Sequence, residues 1–200
     1  MITYQKIHKK HFSQITKIWK YGLKDNLHSI LGINFINDYI KLILNDNENK
    51  AFIAIDKKKN KVVGFVIFGE ENGVNLKIFN ERFLNIIFLI IKKIFFFQIK
   101  DLLKFCDVLV YLLISSFHNL KFKRSIELLI IVVEETNRSK KIGGKLVNKS
   151  ISDLKKESKK LKFINVVTLS KLKKSINFYK KNKFRVAKKV YNRLHMIRAI

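Results

Sequence analysis

One stretch limits the folds open to this chain more than any other. From Ile126 to Val133 the sequence is apolar except for Glu127, rich in β-branched residues and bounded by polar ones, which is the pattern of a buried strand. The residues that follow turn basic (Arg138, Lys140, Lys141, Lys145) and include the pair Gly143–Gly144. Beyond them Ile142, Leu146, Ile151 and Leu154 recur near helical spacing among polar residues, so a helix starts around Ile142 to Lys145. A strand, a short basic glycine-containing turn and a helix together build an anion site. The N–H groups of the first helical turn have no intrahelical acceptor and point at whatever lies there.

Composition limits the alternatives. The chain has 200 residues with 48% hydrophobic content, which suits one domain spanning 1–200 and a full core. One cysteine, Cys106, excludes an internal disulfide framework, and the N-terminal residues lack the apolar core of a signal peptide; both point to a cytoplasmic protein. The net charge of +27 would ordinarily suggest nucleic acid. However, only six of the 42 basic residues are arginine (82, 124, 138, 185, 193, 198), and the lysines are spread along the whole chain. Base reading favours arginine and a stacked aromatic platform, so no specific nucleic-acid partner is expected.

Taken in order, Ile2 to Ile7 alternates as a first strand. His11 to Leu23 and Leu27 to Leu44 each carry an apolar helical stripe, with a break at Lys24-Asp25-Asn26. Ala51 to Ile55 and Lys61 to Phe68 form a hairpin across Asp56–Asn60. Asn80 to Asn119 is apolar nearly throughout, yet broken by Lys92-Lys93 and Lys100-Asp101. No uncharged run reaches the roughly 18 residues of a membrane-spanning helix. It reads as two helices inserted between the third and fourth strands. Their cover is the parent domain first, a second subunit next and a peripheral membrane contact third. After the central strand and its helix come a strand (162–169), a helix (172–183) and two closing strands (184–191, 193–199).

The loop Arg138-Ser139-Lys140-Lys141-Ile142-Gly143 resembles the Arg/Gln-x-x-Gly-x-Gly/Ala loop of the GNAT superfamily of N-acetyltransferases. Ser175-Ile176-Asn177-Phe178-Tyr179-Lys180-Lys181-Asn182-Lys183-Phe184 resembles the family's Ala-x-x-Phe-Tyr-x-x-x-Gly-Phe stretch, in the expected order and again behind a strand. Lys141 and Lys183 each stand where the family has glycine, and Lys141 is expected to take a right-handed conformation. Leu172 stands where the family has asparagine. The resemblance covers the chain outside the insertion. It implies an α/β (α+β) GNAT fold, with a mixed, mostly antiparallel sheet flanked by helices, and an acyltransferase that uses acetyl-CoA. The pattern around Leu31-Gly32 and Phe35 is loosely similar to members associated with surface-polysaccharide biosynthesis, which suggests an amino sugar as the small-molecule amine acceptor.

The resemblance also assigns roles. Ile131, Val132 and Val133 pair with the pantetheine arm, and one of their N–H groups faces the thioester carbonyl. Arg138, Ser139, Lys140, Lys141, Ile142, Gly143, Gly144 and Lys145 cradle the pyrophosphate, with Ser175 and Phe178 also against the cofactor. Tyr179 resembles the general acid, and Glu127 is the candidate base, with a water relay as the alternative. Asp25, Asn26 and His28, at the helix junction, border the acceptor; as residues alone they read equally as turn and cap. The histidines at 8, 11, 28, 118 and 195 form no metal spacing, and His8 and His11 read as surface residues. Cys106 has no activating partner nearby in sequence. The rival reading is a non-enzymatic protein that binds nucleic acid or a membrane surface through its charge and apolar insertion.

Overall fold

The buried run of 126–133 sits in the middle of a seven-stranded sheet in the computed structural model. The structure describes residues 1–24, 26–45, 49–69, 87–88, 91, 99–116 and 122–200. The strands are β1 (Ile2–Lys6), β2 (Lys50–Asp56), β3 (Lys61–Gly69), β4 (Ser125–Val133), β5 (Phe163–Leu169), β6 (Arg185–Val190) and β7 (Arg193–Ala199), in the order β1-β2-β3-β4-β5-β7-β6. Every pair is antiparallel except β4–β5. The helices are α1 (Phe12–Gly22), α2 (Leu27–Leu31), α3 (Ile33–Asn45), α4 (Ile99–Ser116), α5 (Ile142–Glu157) and α6 (Lys173–Lys181). This is the mixed, mostly antiparallel sheet flanked by helices that the sequence predicts.

Two cores explain why β3 is buried at every position but its first. On one face Ile15, Ile18 and Trp19 of α1 and Ile36, Tyr39, Ile40 and Ile43 of α3 pack on Ile53, Phe65, Ile67, Ile130 and Val132. On the other, Ile142, Leu146, Val147, Ile151 and Leu154 of α5 pack on Phe52, Val66, Phe68, Leu128, Ile164, Val166 and Met196. A strand covered on both faces becomes an unbroken apolar run instead of an alternating one. The cores, not the ion pairs, hold the layers together. Lys6–Glu157, at 2.7 Å, links β1 to α5 with both side chains partly exposed, and such pairs contribute under about 1 kcal/mol.

The predicted single helix over 27–44 is two. Gly32 takes φ 105° and ψ 174°, a conformation closed to most side chains, and divides α2 from α3. His11, read as a surface residue, is buried where a short 3₁₀ turn (Lys9–His11) leads into α1. Of the two helices expected in the insertion, the second is α4; the first falls outside the described residues apart from 87, 88 and 91.

Helix α4 lies on the face of the sheet that carries α1 and α3. Met196 of β7 points into the α5 core, so His195 and Arg193 point the other way, and α4 meets them there. The Tyr111 hydroxyl lies 3.2 Å from His195 Nε2, and the Arg193 guanidinium stacks 4.1 Å over the Tyr111 ring. Arg193 also pairs with Asp107 at 3.0 Å, and Asn192 donates to the same carboxylate at 2.5 Å. Burial, followed by the Lys188 and Arg193 charges, holds His195 below its ordinary pKa. The five residues come from two segments about 85 positions apart, and no local pattern announces their meeting.

Candidate active site

The central strand parts from its neighbour halfway along. β4 pairs with β5 only at Ser125↔Phe163, Ile126↔Ile164 and Glu127↔Asn165, whereas β5 continues pairing with β7 as far as Leu169↔Arg193. From Leu128 to Val133 the edge of β4 facing β5 therefore has no ladder partner in β5. A bulge accompanies the parting. Phe68 is opposite Leu128 and Ile67 opposite Ile130, so Leu129 is an extra residue in β4. An extra residue bends and twists its strand away from the regular ladder. The result is a wedge with one side lined by backbone N–H and C=O groups, the kind of edge on which an extended chain can pair.

Glu127 is the last residue of β4 paired with β5 and stands at the apex of the wedge, partly buried. Tyr179, on α6, is buried in the core on the α5 side of the sheet. Its hydroxyl is raised well above the ordinary tyrosine pKa, first by burial and then by the Glu127 charge. The ring is wedged between Phe178 (5.4 Å) and Phe184 (5.6 Å), both edge-on. The two residues singled out as acid and base are thus in electrostatic contact, although 52 positions apart in sequence. A tyrosine so placed keeps its proton near neutral pH, and its hydroxyl can donate a hydrogen bond.

At the wide end of the wedge lies the start of α5. Its first intrahelical bond runs from Lys145 N–H to Lys141 O (3.1 Å), so the N–H groups of Ile142, Gly143 and Gly144 precede the ladder, and no side chain caps them. Lys140, Lys141 and Lys145 are exposed around them. The helix start, its dipole and the lysines all favour an anion. Gly143 is closely packed as well as lying at the helix start. A Cβ there would lie 3.2 Å from the Phe178 ring and 3.4 Å from Val133 Cγ2, so the Phe178 ring would have to give by a few tenths of an ångström. Phe178 thus braces the loop from behind.

Solved structures share the fold over nearly their whole length. A PaiA N-acetyltransferase from Thermoplasma acidophilum, in complex with coenzyme A, has a TM-score of 0.61 at 12% identity, covering 100% of this chain and 99% of that one. A GNAT-family acetyltransferase from Staphylococcus aureus Mu50 gives 0.61 at 15% identity, again covering 100% and 99%. A chain of the NatC complex bound to Gag peptide and CoA gives 0.56 at 15%, covering 100% and 98%. No protein-family model and no curated protein matches the chain. The fold is that of the GNAT acetyltransferases.

Within the GNAT fold the two glycine-to-lysine departures have a physical meaning. The expectation that Lys141 is right-handed is wrong: it sits at φ 60°, ψ 9°, left-handed, and Ser139 is left-handed too at φ 64°. Lys183 is left-handed at φ 67°. It occupies the residue after the C-cap of α6, where Lys183 N–H bonds Lys180 O and Phe184 N–H bonds Tyr179 O, both at 3.0 Å. That bonding pair, with Phe184 packed on Tyr179, is a Schellman stop, which favours glycine at the position of Lys183. A left-handed non-glycine residue costs about 1 kcal/mol. Lys141→Gly and Lys183→Gly should therefore each raise the melting temperature, by about 2–4 °C for a chain of this size. Unchanged or lower melting temperatures in calorimetry would show that the lysines make compensating contacts.

The other predicted residues separate into two groups. Arg138 is at the loop, but its side chain turns inward: Nε donates to Val133 O at 3.2 Å and Nη2 to Gly22 O at 3.1 Å. It ties the end of α1 to the end of β4, a role that its place in the motif conceals. Ser175 is partly buried on α6. Glu134, read as solvated, instead pairs with Lys61 and accepts from Asn137 at 2.9 Å. Asp25 lies outside the described residues. Asn26 caps α2, with Oδ1 accepting His28 N–H (2.9 Å) and lying 2.8 Å from His28 Nδ1. The backbone bond makes Oδ1 the acceptor for both, so Nδ1 carries the proton. His28 packs among Trp19, Phe35 and Tyr39, and burial lowers its pKa to about 4. A neutral, aromatic-packed His28 holds the α1–α2 junction in shape. Among the described residues no cluster could hold a metal ion.

Proposed function

We propose that this chain transfers the acetyl group of acetyl-CoA to a primary amine of a small-molecule acceptor. The observation that carries the reading is the wedge beside β4, open along Leu128–Val133, with an uncapped helix start at one end and the Glu127–Tyr179 pair at the other. Acetyl-CoA, when bound, supplies an activated acetyl thioester, an extended amide-bearing arm and a pyrophosphate. The residues suit each part. The open edge of β4 offers backbone groups to the arm, chiefly at Ile131, Val132 and Val133. The loop from Ser139 to Lys145 offers N–H donors and lysine charge to the pyrophosphate.

The chemistry then falls to few groups. An N–H of Ile131–Val133, fixed in the strand, stabilises negative charge as it grows on an acyl oxygen. Glu127 accepts the proton that an ammonium acceptor must lose before its nitrogen can attack. Tyr179 holds a proton at its hydroxyl and delivers it to a departing thiolate. With its pKa raised by burial and the Glu127 charge, Tyr179 starts the cycle protonated. Among amines, a compact one is favoured. α4 bridges α2 and β6 across the face on which Glu127 lies, which narrows the approach for a peptide. An amino sugar fits that description, in keeping with the loose likeness around Leu31–Phe35. A screen of amines by release of free thiol tests the reading. Turnover is expected with amino sugars or similar small primary amines. Turnover confined to peptide N-termini, or none above hydrolysis, would contradict it.

A further inference from the structure

We propose that the outer face of α4 and the neighbouring edge of β6 form a surface that seats this protein on an anionic lipid bilayer. The proposal does not depend on the acetyl-transfer reading. α4 covers β7 with Asp107 and Tyr111, and its opposite face is apolar and exposed. Ile99, Leu103, Cys106 and Val110 form a stripe at spacings of four, three and four, about a quarter-turn round from Asp107 and Tyr111, and Leu109 and Leu112 continue the exposed apolar surface round the far side. Leu103 is 62% exposed, Leu109 55% and Leu112 47%. Isolated exposed leucines need no explanation, but a stripe running along a helix does.

Charge decides what the stripe suits. β6 is the edge strand beside α4, and its register puts Arg185 opposite Ile197 and Lys188 opposite His195. Both basic residues therefore lie on the sheet face that α4 occupies, and the Lys188 charge is felt by His195. Lys100 adds an exposed cation on α4 itself. From Ser158 to the last residue the sequence has 14 lysines and arginines and no aspartate or glutamate. A second copy of this chain would bring an equally basic rim against that rim. A nucleic acid would satisfy the lysines but leave the leucines in water. A bilayer containing anionic lipid meets both demands, with acyl boundary for the leucines and headgroups for the lysines. Among the described residues no helix is long and apolar enough to cross a membrane, so α4 lies along the surface.

The lone cysteine supplies the test. Cys106 is exposed within the stripe, so its alkylation rate reports directly on whether that face is covered. Wild-type protein is mixed at physiological ionic strength with vesicles of pure phosphatidylcholine, or of equal parts phosphatidylcholine and phosphatidylglycerol. Binding is read by flotation. The mixed vesicles should bind the protein and slow Cys106 alkylation by about ten-fold or more, as burial in the interface excludes the reagent; the neutral vesicles should do neither. Because a chain of charge +27 adheres to any polyanion, two double variants separate seating from adhesion. L109D/L112D and K155A/K156A each lower the net charge by two, the second on the opposite face of the sheet. The first should weaken vesicle binding by about 100-fold or more, from lost apolar burial. The second should weaken it by only a few-fold. Equal losses, equal binding to neutral vesicles, or rapid alkylation of Cys106 in the bound protein would overturn the proposal. So would protection of Cys106 without vesicles in a particle that light scattering shows to be a dimer.

Discussion

Tyr179→Phe should lower kcat by about 10²-fold or more while leaving KM for acetyl-CoA little changed, as expected for a lost general acid. The argument rests on how little else the change removes. Tyr179 is held by Phe178 and Phe184 through its ring, and its carbonyl, not its hydroxyl, anchors the Schellman stop. Phenylalanine keeps the ring and the carbonyl, so α6 and the loop it braces should stay in place, and the melting temperature checks that. The hydroxyl is the one group lost, and it lies where Glu127 senses it. Near wild-type kcat in the variant would make the hydroxyl a packing group and move the proton source elsewhere.

Glu127→Gln should act on a different step, with a pH dependence of its own. The base is needed only while the acceptor amine carries its extra proton. The variant should therefore be slowest relative to wild type at low pH, and the gap should close as pH approaches the amine's own pKa. Glutamine keeps the shape of the side chain and its place opposite Asn165, so a positioning role would survive the change. A rate lowered by the same factor at every pH would assign Glu127 to positioning and leave the proton to water.

How much of this was legible beforehand depends on the range over which each feature is decided. The buried strand 126–133, the helix starting near Ile142 and the closing strands follow from periodicity, which is local. So does the likeness of the two loops, because turn and cap geometry impose their residue types within a few positions. The break at Gly32 was hidden because one glycine inside an amphipathic stripe does not interrupt the pattern. Lys141, expected to be right-handed, misled for the opposite reason, and Lys183 shares its left-handed geometry. Their side chains suggest an ordinary backbone, while the turn and the Schellman stop demand a left-handed one. Arg138 reads as a phosphate ligand by position, and its guanidinium also donates through Nε and Nη2 to Val133 O and Gly22 O. His28 reads as a polar junction residue, yet three aromatic rings surround it. The Asp107–Tyr111–Arg193–His195 cluster lies beyond any sequence window, since it exists only once α4 has crossed β7.

The central claim is that the wedge and loop hold acetyl-CoA as a shaped site rather than as a basic surface that attracts any polyphosphate. The most direct measurement is calorimetric titration of acetyl-CoA at rising salt, beside heparin as a polyanion without the pantetheine arm. Backbone pairing along Leu128–Val133 and burial of the arm do not depend on counterions, whereas release of counterions gives polyanion binding a steep salt slope. The account predicts one acetyl-CoA per chain, an affinity that falls only shallowly with salt, and thermal stabilisation by about 2.7 kcal/mol at a ligand concentration 100 times Kd. Acetyl-CoA binding that disappears with salt in parallel with heparin, at more than one site per chain, would contradict it.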